Sequence, residues 1–277
     1  MLLIIMKKLG LRILGIAAIA VLAGCSQGKK EEDKEDNAIN TQVQNLKFES
    51  YTYDFIGRYV GNDTVSQPGN SLIRFSGQGV LPEDLGDANI RVLRDSLLRL
   101  ASDEYVNDDS PRPVMPDSVV LTDLNPVNTD ACGEVISTLA ATLVTPRVVV
   151  WKSSVETYEC MAAHGYTVTS FVNYSLSDGR IIGLKELLKP GYEKQLVKLI
   201  RDKVKDMKVS LLCQLNEVDI PSQFEITTDG LNFSYDPYQI APYSEGTVSV
   251  PVSTGDLIDL LSDNGRLILT GVPAGHD

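Results

Sequence analysis

The sequence predicts an α+β fold, an antiparallel sheet packed with about three helices, and three observations lead there. Short runs of β-branched and aromatic residues recur along the chain, set off by turn residues such as Gly, Asn, Asp and Pro. Separate segments carry apolar residues at helical spacing. The two kinds of segment come in the order strands, helix, strands, helix, strands, helix, which is not the regular alternation of a parallel α/β sheet.

Phe48, Tyr51, Tyr53 and Phe55 open the globular part in a mostly alternating stretch that ends near Tyr59, a first strand. Gly61-Asn62-Asp63 supplies a turn, and Leu72-Ile73-Arg74-Phe75 a short second strand. Between Asp87 and Tyr105, Ile90, Leu93, Leu97, Leu98 and Ala101 recur at helical spacing with Arg91, Arg94, Asp95 and Arg99 on other faces, which predicts an amphipathic helix. Asn107 to Pro116, with Pro111, Pro113 and Pro116, can sustain neither helix nor central strand and is expected to be a long exposed loop. Val148-Val149-Val150-Trp151 and Tyr166 to Val172 are strands by composition, and Asp178-Gly179 marks a tight turn before Ile181-Ile182.

From Leu184 to Met207 the helical period returns, interrupted at Pro190-Gly191, with Leu196, Leu199, Ile200, Val204 and Met207 on one stripe. Its Lys194, Lys198, Arg201, Lys203, Lys205 and Lys208 alternate with Glu193, Asp202 and Asp206, the pattern of a solvated face. Phe224 to Thr227 and Leu231 to Tyr235 flank Asp229-Gly230 as a hairpin. A strand at 247–252 and a last helix at 254–261 close the chain.

Of the 277 residues, 43% are hydrophobic, enough for a packed core rather than a disordered chain. The 25 Lys plus Arg against 37 Asp plus Glu give a charge of −12, and no basic cluster stands free of acids. A phosphate backbone is held by clustered cations, so nucleic acid is not expected as a partner.

Residues 1–24 read as a signal segment. Lys7, Lys8 and Arg12 precede an uncharged run from Ile13 to Ala23, too short to span a bilayer. Met1 to Ile5 stand ahead of the basic residues, so translation is expected to start at Met6. Leu22-Ala23-Gly24-Cys25 resembles the bacterial lipobox, which implies cleavage before Cys25 and a diacylglycerol on its thiol. Removal of 1–24 takes away three cations and no acid, so −12 becomes −15. Residues 25–45 form a tether whose stretch from Lys29 to Asp36 contains no apolar residue. A stretch rich in Lys and acids just after a lipidated Cys resembles the surface-export signal of Bacteroidota lipoproteins. The expected address is the cell envelope, on the periplasmic or the surface face of the outer membrane.

The globular part divides into an N-terminal half, 46–160, and a C-terminal half, 161–277. In the second half, Phe233-Ser234-Tyr235-Asp236-Pro237-Tyr238-Gln239-Ile240-Ala241-Pro242-Tyr243-Ser244-Glu245-Gly246 resembles the signature of the extracellular domain of RsiV-type anti-sigma factors, a domain also found beside peptidoglycan deacetylases and in bacterial lipoproteins. Asn173 to Arg180 and Leu184 to Leu188 resemble the same domain's strand, turn and short helix. His164-Gly165 stands where that domain often has Gly-Gly-Ala-His-Gly, here reading Met161-Ala162-Ala163-His164-Gly165. The resemblance implies a binding domain outside the cell whose ligand is lysozyme in RsiV-type proteins and cell-wall glycan beside deacetylases. Sigma-factor control needs a transmembrane helix and a cytosolic segment, which this sequence does not display, and that role is not carried over.

His164, Tyr235, Asp236, Tyr238 and Tyr243 are therefore the candidate ligand-binding residues, since they lie in the segments that carry the resemblance and tyrosine rings stack on sugars and anchor protein partners. Each also has a structural reading: His164 as a turn residue bonded to backbone, Asp236 as an acceptor of backbone N–H groups at a strand-to-loop corner. His276 lies next to the C-terminal residue, and neither histidine has metal-ligand spacing with the other, so no metal and no cofactor are expected. Gly77-Gln78-Gly79 continues into Leu81-Pro82 and does not open a helix, which argues against a phosphate loop. Besides lipidated Cys25, Cys132, Cys160 and Cys213 leave two arrangements open, one disulfide with a free thiol or three buried thiols. The leading reading is a non-enzymatic, lipid-anchored binding protein. An enzyme acting on envelope glycan through a carboxylate pair, and a structural partner in envelope assembly, are the alternatives.

Overall fold

The structure is a computed structural model that describes residues 46–59, 72–85, 90–101, 119–121 and 130–272. Residues 1–45, with Cys25 and the tether, the loop expected at 107–116, and His276 lie outside them.

Seven strands form one sheet: β1 Lys47–Tyr59, β2 Leu72–Asp84, β3 Val119–Leu121, β4 Gly133–Val144, β5 Val148–Tyr158, β6 Tyr166–Ser175 and β7 Arg180–Ile181, in the order β3-β1-β2-β4-β5-β6-β7. A second sheet of three, in the order β10-β9-β8, contains β8 Gln223–Ile226, β9 Gly230–Tyr235 and β10 Val248–Ser253. The helices among the described residues are α1 Ile90–Leu100, α2 Leu184–Leu187, α3 Glu193–Met207, α4 Thr254–Leu257 and α5 Asp263–Thr270. The fold is thus α+β. Its strand pairs are antiparallel except β2 with β4, which run parallel, the chain passing through α1 and β3 between them instead of a hairpin.

The run Val148 to Trp151 shows how two cores share one sheet. All four residues are fully buried. Side chains alternate across a strand, so Val149 and Trp151 enter the core under α1 while Val148 and Val150 enter the core shared with α3 and the second sheet. On the first side α1 contributes Leu93 and Leu97, and Trp151 Nε1 donates to the Val80 carbonyl at 3.1 Å. The carbonyls at the end of α1, left without helical partners, accept from Ser153 Oγ (Leu100 O, 2.9 Å) and from Ser137 Oγ (Ala101 O). On the second side Leu196, Ile200 and Val204 of α3 meet Phe233, Val250 and Ile226.

Two buried or half-buried side chains join the sheets where no backbone ladder does. Asn173 of β6 donates from Nδ2 to the Phe224 carbonyl, and Gln223 Oε1 accepts from the Phe171 N–H. The division at 160 falls in the turn between β5 and β6, which pair along their length, so both halves contribute to the seven-stranded sheet.

Several elements differ from the sequence reading. The second strand runs on to Asp84, and β4 is a strand that the sequence pattern does not display. In β4 the inward positions hold Gly133, Val135, Ser137 and Leu139 while Ile136 faces out, so the glycine, the serine and the outward isoleucine conceal the alternation. The segment 254–261 is not one helix. Ser262 Oγ accepts from Gly265 N at 3.0 Å and starts α5, which gives two more helices than expected, counting the short α2. Gly77 and Gly79 lie mid-strand in β2, opposite Tyr53 and Tyr51. The two tyrosine rings lie parallel, centroids 6.3 Å apart, in space that a Cβ on either glycine would invade. Cys132 and Cys160 form a disulfide and Cys213 is a free thiol, the first of the two arrangements open in the sequence.

Candidate functional site

The segment that follows β9 is held at its middle and open at its ends. Asp236 N donates to Gln239 Oε1 at 2.9 Å and Tyr238 N to the Ala241 carbonyl at 2.9 Å, a tight turn that places Tyr238 at φ 71°. Ile240 and Ala241 are buried in the core, and the Ile240 carbonyl accepts from Leu212 N at 2.9 Å. With those two residues inward, Tyr238 and Tyr243 on either side stand out at 57% and 39% exposure. A single 3-10 turn, Tyr243–Glu245, ends at Gly246, whose φ of 67° suits glycine.

The second contributor is the turn between β5 and β6. Cys160 ties its start to Cys132, Ala162 N donates to the Glu159 carbonyl at 3.1 Å, and Tyr158 Oη donates to the Ala162 carbonyl at 2.9 Å. The His164 ring stacks on Tyr243 with centroids 4.3 Å apart and planes within 27°, and Tyr243 and Tyr238 follow at 6.1 Å and the same angle. His164 Nδ1 lies 2.9 Å from the Gly165 carbonyl, so an Nδ1–H tautomer donates there and keeps Nε2 as an acceptor. Met161, at φ 67° and 89% exposed, belongs to the same turn.

Of the five candidate residues, the fold brings His164, Tyr238 and Tyr243 together in one exposed row. Asp236 stands beside it, half buried. Its Oδ1 accepts from Thr169 N at 3.1 Å, which fastens the segment to β6, and burial pushes its carboxyl above the ordinary value more than that bond lowers it. Tyr235 is not part of the row. Its ring is in the core, its hydroxyl donates to the Asp219 carbonyl, and burial, with Asp219 adding, pushes the phenol up. Tyr235 is therefore a structural residue, packed at the end of β9 where both faces of the strand are covered.

The row offers ring faces and edges together with hydroxyl and imidazole tips, the chemistry that holds sugars and protein side chains. Among the described residues no group of three or more His, Cys, Asp or Glu is placed to hold a metal ion. The sequence does not single out Met161, and it offers a disulfide among Cys132, Cys160 and Cys213 without saying which two form it.

Residues 185–254, which carry the Tyr238 and Tyr243 segment, match the family described as Protein of unknown function (DUF3298). The chain carries a DUF3298 domain. Two solved structures share the fold. One is a member of the DUF3298 family from Bacteroides fragilis, 18% identical with a TM-score of 0.52, the match covering 81% of this chain and 97% of that one. The other is a DUF3298 family protein from Pseudomonas aeruginosa, 16% identical with a TM-score of 0.51, covering 77% of this chain and 94% of that one. No curated protein matches. At these identities the likeness is one of fold, and the DUF3298 domain brings no assigned activity with it.

Proposed function

We propose that this chain is a non-enzymatic, lipid-anchored protein of the cell envelope that captures an extracellular ligand on the His164, Tyr243 and Tyr238 row. The observation that carries the reading is the row itself: three rings from two turns far apart in sequence, stacked, exposed and backed by buried anchors. Burying exposed aromatic rings costs little conformational entropy when their backbone is already fixed, as it is here by Ile240, Ala241 and the disulfide. Cell-wall glycan is the first ligand, because sugar faces stack on such rings and sugar hydroxyls meet their polar tips. A lysozyme-like protein is the second, favoured by the charge of −15 left after removal of 1–24, which attracts a basic partner. The RsiV-type resemblance supports the same two ligands, and the lipobox at Cys25 supports the anchor.

The test is binding of the chain from 26 onward to soluble peptidoglycan fragments and to lysozyme, at low and moderate salt, for the native sequence and for Tyr243→Ala. Retained binding at moderate salt that falls in the variant is the expected outcome. Binding that vanishes with salt would reduce the lysozyme arm to nonspecific attraction. New reducing ends appearing in the glycan over time would replace this reading with the enzymatic one. A Cys25→Ser chain is expected in the soluble fraction instead of the membrane.

A further inference from the structure

A second surface of the DUF3298 region, sharing no residue with the aromatic row, sets cationic side chains beside apolar ones. Lys194, Val197, Lys198 and Arg201 stand at i, i+3, i+4 and i+7 on α3, hence on one helix face, and with Asp202, Leu215 and Asn216 they line an open groove of about 400 Å³, in which three cations outnumber the one carboxylate. By spacing alone these cations form a solvated face balanced by acids. The balance is uneven. Lys198 pairs with Asp202 at 2.6 Å and Lys203 with Asp256 at 2.9 Å, whereas among the described residues neither Lys194 nor Arg201 is in an ion pair. Arg201 is also held in place: its Nε donates to the Val218 carbonyl at 2.6 Å, which sets the guanidinium plane and leaves its terminal nitrogens for another acceptor. The apolar part of the lining is Val197 and Leu215, both half buried.

We propose that this groove binds a small anion carrying an apolar body, with its carboxylate or phosphate head on Arg201 and Lys194 and its body on Val197 and Leu215. A preset guanidinium accepts such a head in two parallel bonds without first losing side-chain freedom. In a chain of net charge −12, an unpaired Arg and Lys beside an apolar strip select an anion against the field of the whole molecule, so the site has to rest on these local contacts.

The experiment is titration of the purified mature chain with hexanoate, with inorganic phosphate and with hexanol, followed by backbone amide shifts at near-physiological salt. Saturable shifts confined to residues 194–201 and 215–216 with hexanoate, and weaker ones with phosphate and hexanol, are expected. Arg201→Gln and Lys194→Gln should each weaken hexanoate by about tenfold, the worth of one charge-assisted hydrogen bond. Lys194 is solvent-exposed, so its variant keeps the fold even where Arg201→Gln loosens the Val218 contact. Lys205→Gln, exposed elsewhere on the same helix, should leave binding unchanged. The proposal fails if no localised saturation appears, if hexanol or phosphate binds as well as hexanoate, or if Lys205→Gln weakens binding as much as Lys194→Gln does.

Discussion

The buried amide of Asn173 accepts from the backbone N–H of Ile226 at 2.8 Å while its Nδ2 donates to the Phe224 carbonyl at 3.0 Å, so one side chain on the seven-stranded sheet completes the edge of the three-stranded one. The aromatic row depends on this join, since His164 comes from the first sheet and Tyr238 and Tyr243 follow the second. Asn173→Ala leaves a donor and an acceptor buried without partners and is expected to destabilise the fold by about 2–4 kcal/mol. Urea unfolding checks it; a loss below about 0.5 kcal/mol would mean that water replaces the amide.

Tyr243 and Tyr235 belong to the same segment and should behave oppositely. Tyr243→Ala removes the middle ring of the exposed row and is expected to weaken glycan or lysozyme binding by about tenfold or more, with a stability change under about 1 kcal/mol. Tyr235→Phe removes only the hydrogen bond to Asp219 and should cost about 1 kcal/mol of stability and leave binding intact. Equal binding losses in the two variants would contradict the assignment.

Gly77 is required by Tyr53. A Cβ at position 77 falls in the space of the Tyr53 ring, so Gly77→Ala is expected to cost about 1–3 kcal/mol through displacement of that ring. In a double-mutant cycle with Tyr53→Ala, much of the cost should disappear, and strict additivity would show that the two positions are not coupled.

Two carboxylates pull the pH profile in opposite directions. Asp236, raised from 3.8 mainly by burial, keeps its proton in the fold to a higher pH than in the unfolded chain. Stability from this group is present at low pH and is lost as pH rises from that value through the folded one. Glu186, lowered mainly by the Gly183 N–H at 2.9 Å, contributes stability that is present above its ordinary value of 4.5 and lost as pH falls through the folded one. Asp236→Asn should therefore reduce the loss on raising pH above 3.8, and Glu186→Gln the loss on acidification below 4.5, as read by thermal midpoints across that range. Profiles that both variants leave unchanged would rule these groups out.

The Cys132–Cys160 disulfide closes a loop across 28 residues and holds the start of the His164 turn. Cys132→Ser with Cys160→Ser is expected to lower stability by about 2–4 kcal/mol. Binding at a temperature where the variant remains folded should fall too, because the turn no longer presents His164 to Tyr243. Unaltered affinity there would show that the turn is held by its own hydrogen bonds.

Much of this architecture was legible in the residues. The pause at Pro190-Gly191 between α2 and α3, the Asp229-Gly230 hairpin and the buried stripe of Leu196, Ile200 and Val204 are local features, set by φ restrictions and side-chain period, and they appear where the sequence places them. β4 was not legible, because its inward positions Gly133, Val135, Ser137 and Leu139 include a glycine and a serine while Ile136 faces out, and a serine is recognisable as a core residue only once the end of α1 is seen to need a donor. Likewise Gly77 and Gly79 take their meaning from rings on the neighbouring strand.

By itself the sequence determined the fold class, the acidic character and the segments from which a site could be drawn, since composition, periodicity and turn residues act over a few neighbours. It also held Tyr235, Asp236, Tyr238, Tyr243 and His164 as equals. Only the tertiary structure separated them, placing the Tyr235 ring in the core and the Tyr243 ring against His164. The reason is physical: strand alternation decides which side of a sheet a residue faces, but contact between two turns is fixed by the packing of two sheets. That packing rests on long-range contacts such as Asn173 with Ile226 that no local pattern encodes.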